Sequence, residues 1–150
     1  MPVRVLSRQA RLTVDRRKLA VGVDHVLAAE LGRTVRVNLV VTDDARIAEL
    51  NRRFLGHDRP TDVLAFPEEE SGSSDADLPF GEIVVSVETA QRQGPRHGNS
   101  PERELLLYAV HGALHLAGYD DHAPAERRRM RRRERQYLDE LEATGGVDRE

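Results

Sequence analysis

The segment PERELLLYAVHGALHLA, residues 101–117, restricts the fold of this chain more than any other feature. Ser100 offers a hydroxyl N-cap and Pro101 stands at the first helical position, so a helix starts here. Gly118 suits the left-handed residue that ends one. Between these marks the residues are apolar on most sides, and a helix of that kind has to be enclosed by other elements. Within it, His111 and His115 lie four apart, which puts both imidazoles on one face a turn apart.

The elements available to enclose this helix are short and of both kinds. Residues 3–14 alternate loosely and predict a strand. Residues 15–31 place Leu19, Ala20, Val23, Val26, Leu27 and Leu31 at helical spacing, and Gly32 supplies the stop. TVRVNLVVT, residues 34–42, is β-branched and alternating, hence a strand. Thr42 or Asp43 offers an N-cap for a helix running to about Phe54. VLAF, closed by Pro67, and GEIVVSV, residues 81–87, read as two more strands. Residues 68–79 are acidic, rich in Ser, Gly and Asp, and aperiodic, so they read as a loop. A helix is expected from about Glu88 to Gln93, broken by GPRHGN. After YDDHAP a polar helix is expected from about Ala125 to Ala143, with an apolar stripe of Met130, Tyr137, Leu138 and Leu141. The expected fold is α+β, with a small mixed sheet of three to four strands and four to five helices. The site is placed on the buried helix and the loop after it.

Size and composition bound the rest. At 150 residues and 39% hydrophobic, the chain is read as one domain, 1–150, with no repeat or linker. The net charge of −3 makes no global electrostatic case for nucleic acid. Cysteine is absent, which excludes disulfides and thiolate metal sites. No secretory-type apolar run opens the chain and none is long enough to span a bilayer, so a soluble cytoplasmic protein with no membrane partner is expected. Basic residues are nearly all arginine, Lys18 being the one lysine; genomic base composition accounts for that.

The chemistry lies in HGALHLAGYDDH. Two imidazoles on one helix face suit one metal ion, with zinc expected, and the turn at Gly118 lets Asp121 or His122 return to it as a third ligand. Three protein ligands leave one tetrahedral position open, as in catalytic zinc sites. A metalloprotease helix would read H-E-x-x-H, with the glutamate as general base. Gly112 stands in that place, which moves the expected chemistry away from proteolysis. A hydrolase in which the metal itself acidifies water needs no such glutamate.

HGALHLAGYDDH closely resembles the H-G-x-L-H-L-x-G-Y-D-H signature of the YbeY family of bacterial endoribonucleases, also described as rRNA maturation factors. LNRRFLGHDRPTDVLAFP resembles that family's L-N-x-x-(Y/F)-R-G-x-D-x-P-T-D-V-L-S-F-P segment, and GEIVVSV its G-D-I-V-I strand. The three segments agree in order and spacing from about residue 34 to 140. The resemblance implies an α+β fold and one Zn²⁺ per chain held by three histidines. It further implies cleavage of single-stranded RNA in rRNA processing, including 16S 3′-end maturation and quality control on the ribosomal small subunit, with no DNA partner. Two departures stand out. Asp121 holds the place of the family's third histidine and His122 follows one residue later. His122 is taken as the third ligand, through a one-residue bulge; Asp121, in register, is the alternative. Leu55 stands where the family's phosphate-handling arginine falls, and Arg53 and Arg59, which flank it, are the candidates to replace it.

Other features have plainer readings beside the functional ones. Asp58, Thr61 and Asp62 suit a loop closing onto a strand, and the same loop is expected to line a cleft opposite the metal helix. Asp120 either orients a ligand imidazole or satisfies loop donors. RRRMRRRER, residues 127–135, is either an RNA-binding face or a solvated helix whose arginine stems cover Met130. His25, His57 and His97 are read as non-ligands. Two other functions compete with a nuclease: a zinc hydrolase of another substrate class, and a ribosome assembly factor with a structural metal.

Overall fold

In a computed structural model, residues 3–9, 12–55, 62–67 and 80–148 are described, the side chains of 54, 55 and 144–148 excepted. Four strands form: β1 (Val3–Ser7), β2 (Val37–Thr42), β3 (Val63–Pro67) and β4 (Gly81–Ser86). Five helices accompany them: α1 (Arg16–Leu31), α2 (Asp44–Leu55), α3 (Val87–Arg96), α4 (Pro101–Leu116) and α5 (Pro124–Asp148). The α+β class and the mixed sheet are as expected. The loop at 68–79 lies outside the described residues.

The sheet order is β1-β2-β4-β3. β1 and β4 each run parallel to β2, and β3 pairs antiparallel with β4, Val63 opposite Val85 and Pro67 opposite Gly81. Pro67 has no N–H to give a ladder, and it sits at the end of an edge strand, where none is needed on the open side.

Strand alternation sorts side chains between the two faces. Val37, Leu39 and Val41 of β2 and Ile83 and Val85 of β4 enter the larger core with α1, α3, α4 and α5. Val40 of β2, Leu64 of β3 and Val84 of β4 turn the other way and meet Ile47 of α2. On the larger side α4 lies embedded, with Leu105, Leu106, Val110, Leu114 and Leu116 buried. At roughly 1.5–3 kcal/mol for each such side chain removed from water, that helix is a main contributor to the core.

The caps of α4 match the expectation. Ser100 Oγ accepts from the Arg103 N–H at 3.2 Å, and Gly118 adopts φ 106°. Asp43, one of the two N-cap candidates for α2, accepts from the Arg46 N–H at 2.9 Å. Gly112 belongs to packing. A Cβ built there would meet Ile83 Cγ2 at 2.6 Å and Val63 Cγ2 at 3.2 Å, so α4 rests on the sheet through a missing side chain.

The limits of four elements differ from the expectation. β1 and β2 are shorter than the alternating stretches that contain them. α3 does not break at Gly94-Pro95 but carries both to Arg96. Proline disturbs a helix through its missing N–H and through the residue before it. Here that residue is glycine, with no Cβ to clash, and it is buried so tightly that a Cβ would lie 2.8 Å from the Asn99 carbonyl oxygen. α5 continues past Ala143 to Asp148.

Candidate metal centre

Helical spacing brings the His111 and His115 rings together, with Nε2 facing Nε2 at 3.1 Å. Each Nδ1 is already committed. His111 Nδ1 donates to Glu134 Oε2 on α5, and His115 Nδ1 donates to the Tyr119 carbonyl at 3.1 Å. A carboxylate and a carbonyl only accept, so each Nδ1 carries a proton, and in the neutral rings both Nε2 atoms present lone pairs. Two lone pairs at that separation call for a cation between or before them. The donor chemistry therefore fits a metal ion, and the Nδ1 partners are of the kind that orient ligating imidazoles.

Electrostatics set the two rings apart. Burial pushes His111 down, but the hydrogen bond and charge of Glu134, with Asp62 and Asp121 beyond, outweigh it and hold the ring above its ordinary value. His115 is held below its ordinary value by burial and by the neighbouring His111.

The third donor next to this pair is a carboxylate. Asp121 Oδ2 lies 3.9 Å from His111 Nε2 and 3.7 Å from His115 Nε2, and these three side chains form a group able to hold an ion. The structure does not bring His122, expected as the third ligand, to the pair. Its side chain is 87% exposed and its Nε2 lies 3.3 Å from Asp120 Oδ1. The backbone explains the choice. Arg127 Nη1 donates to the carbonyls of both Asp121 and His122, and Asp120 Oδ1 accepts from the Asp121 N–H at 2.8 Å. These bonds hold the loop after Gly118 with Asp121 turned toward the pair. Asp120 thus serves the loop and the outer histidine rather than either inner ring.

A cleft of about 370 Å³ opens beside the group. One wall is α4, through Glu104, Leu107, Tyr108 and His111; the other is α5, through Arg127, Met130, Arg131 and Glu134. Asp62, at the foot of β3, and His97 complete it. Glu104 is fully buried and accepts from His97 Nδ1 and Asn99 Nδ2, each at 2.8 Å. Burial and the charge of Glu104 push the Tyr108 phenol far up, so it stays protonated.

The remaining expected residues fall as follows. Asp62 does line the cleft, as the reading of its loop required; Asp58, Thr61, His57 and Arg59 lie outside the described residues. Arg53 is exposed on α2, which packs on the opposite sheet face, and it is not in the cleft wall. His25 pairs with Glu140 at 2.8 Å, away from the group. Glu134 is the functional residue that sequence reasoning missed. A signal existed: Glu134 follows Met130 by four and precedes Leu138 by four, so it lies on the buried stripe of α5 despite its arginine neighbours.

Comparison with known proteins gives consistent matches over most of the chain. A family model described as Endoribonuclease YbeY matches residues 4–142. The chain is 41% identical to Endoribonuclease YbeY of Pelotomaculum thermopropionicum, over 96% of this chain and 99% of that one. It is 45% identical to Endoribonuclease YbeY of Desulfitobacterium hafniense, over 77% and 76% of the two chains. A solution structure of a Thermotoga maritima protein is similar with a TM-score of 0.65 and 30% identity, covering 97% of this chain and 93% of the other.

Proposed function

The chain belongs to the YbeY endoribonuclease family, and from that premise we propose that it cuts single-stranded RNA at a metal centre built on α4 and the loop after it. Its substrate is RNA and its reaction is phosphodiester hydrolysis. The proposed setting is rRNA maturation and quality control on the ribosomal small subunit, at the 16S 3′ end in particular, and hence the cytoplasm. Among the described residues no helix is long and apolar enough to cross a membrane.

The observation that carries this reading is the convergence of His111 Nε2, His115 Nε2 and Asp121 Oδ2 at the edge of a cleft. We take these three as ligands of one zinc ion per chain, a donor set that zinc accepts. Asp121 is preferred to His122 for its aim at the pair. A bound zinc ion supplies Lewis acidity toward water or a phosphodiester oxygen. The protein's own part is positional. Glu134 and the Tyr119 carbonyl fix the tautomer and tilt of the two rings, and Arg127 holds the loop that carries Asp121. Gly112 faces the sheet, so no glutamate fits where a protease of the H-E-x-x-H kind keeps its base.

The test is cleavage of single-stranded RNA by metal-loaded protein, with His111→Ala and His115→Ala prepared identically. Loss of cleavage in both is expected. Equal cleavage by wild type and variants would assign the activity to a contaminant and remove the proposal.

A further inference from the structure

The arginines of residues 127–135 separate by helical face. Arg129 lies over the Tyr119 ring, 5.0 Å from its centroid, and Arg133 Nε donates to the Tyr119 hydroxyl at 3.0 Å. Those two tie α5 to the chain after α4. Arg128, Arg132 and Arg135 are exposed and have no hydrogen-bond or ion-pair partner among the described residues. Arg127 and Arg131, one turn apart, form the remaining pair and line the cleft with His111 and Asp121.

Within that pair the roles divide again. Arg127 Nη1 is engaged by the Asp121 and His122 carbonyls at 3.3 and 2.9 Å. Arg131 lines the cleft with no hydrogen-bond or ion-pair partner among the described residues. The cleft also carries the carboxylates of Asp62, Glu104, Asp121 and Glu134. A phosphodiester entering it meets like charge on several sides, and a cation besides the metal is needed to hold it. Arg53, on the opposite sheet face, is not in the cleft wall. The cleft volume of about 370 Å³ lies within the range of small-ligand sites.

We infer that Arg131 binds substrate phosphate in this cleft, and that Arg127 is a positioning residue for the ligand loop. Arg131 meets the substrate from α5. A guanidinium suits it, since its fork can meet two phosphate oxygens at once. This assignment rests on the RNA reading above and adds to it the residue that holds the backbone.

The experiment measures anisotropy of a fluorescein-labelled single-stranded RNA against salt concentration, using the full chain, with metal content measured on the same samples. Wild type, Arg131→Gln, Arg131→Lys and Arg132→Gln are compared; both positions are exposed, so the substitutions are expected to leave the fold intact, which circular dichroism on the same samples checks. Arg131→Gln is expected to weaken binding about tenfold, as for loss of a charged hydrogen bond. Its log–log salt slope should become shallower by about 0.7, one phosphate contact on a single strand. Metal content should not change, Arg131→Lys should recover part of the loss, and Arg132→Gln should stay within about twofold of wild type. Equal weakening by Arg131→Gln and Arg132→Gln would reduce the effect to general charge and overturn the assignment. So would loss of metal from Arg131→Gln, or wild-type binding by it. If metal-loaded wild type neither binds nor cuts RNA, the RNA reading itself falls and takes this assignment with it.

Discussion

The two faces of the sheet are held in different ways. On one, α4 is embedded in a large core and rests on β4 through Gly112. On the other, α2 meets the sheet through Ile47 against Val40, Leu64 and Val84, and a polar lock secures its start. There Asp44 accepts from Ser86 Oγ, from Thr89 Oγ1 at 2.8 Å and from Arg92 Nη1 at 2.6 Å. The first arrangement buries the helix along its length, and the second adds a polar lock at one end. Two rings that must meet within a hydrogen-bond distance sit on the first, which is where packing can hold them.

Substitutions on either face break or sharpen this contrast. The largest effect is expected from Gly112→Glu, which places a carboxylate where Ile83 Cγ2 lies 2.6 Å from a Cβ. Overpacking together with burial of an unpaired charge should exceed about 4 kcal/mol, read as failure to fold or loss of the cooperative melt. Leu114→Ala, at a fully buried position of α4, should cost about 2–5 kcal/mol in urea unfolding and weaken metal binding as well, since it loosens the helix that carries the ligands. Ile47→Ala should cost a similar amount on the α2 face yet leave metal affinity unchanged. Equal loss of metal from both variants would dissolve the distinction between the faces.

The smallest effect is expected at the polar lock and depends on pH. Burial raises the Asp44 carboxyl, but the bonds from Ser86, Thr89 and Arg92 outweigh it and leave it below the ordinary aspartate value. A carboxyl lowered in the folded state contributes stability above its unfolded pKa of about 3.9, and that stability is lost as pH falls through the folded value. Asp44→Asn should therefore cost about 1 kcal/mol at neutral pH, the half-exposed Arg92 adding little. It should also flatten the acid limb of the stability curve below about pH 4. An unchanged acid limb would remove Asp44 from that role.

Legibility in the sequence followed the range of the forces involved. The limits of α4 were readable because capping is local: Ser100, Pro101 and Gly118 act on their own neighbours. The His111–His115 pair was readable because helical spacing alone brings the rings together. Gly112 was readable as a missing base, but its reason lies in Ile83 and Val63, far along the chain. The run through Gly94-Pro95 depends on the enclosed site around Asn99, which no dipeptide rule contains. The aim of Asp121 rather than His122 depends on Arg127 gripping two carbonyls from the next helix. The same holds for Glu134, whose place on the buried stripe was visible but whose partner His111 was not.

The most direct measurement is zinc content and affinity, by titration calorimetry and elemental analysis, of wild type, His111→Ala, Asp121→Ala and His122→Ala. One zinc per wild-type chain is expected, with loss of binding in His111→Ala, a large fall in affinity in Asp121→Ala and near wild-type binding in His122→Ala. Retention of tight zinc binding by Asp121→Ala together with its loss from His122→Ala would contradict a centre completed by Asp121.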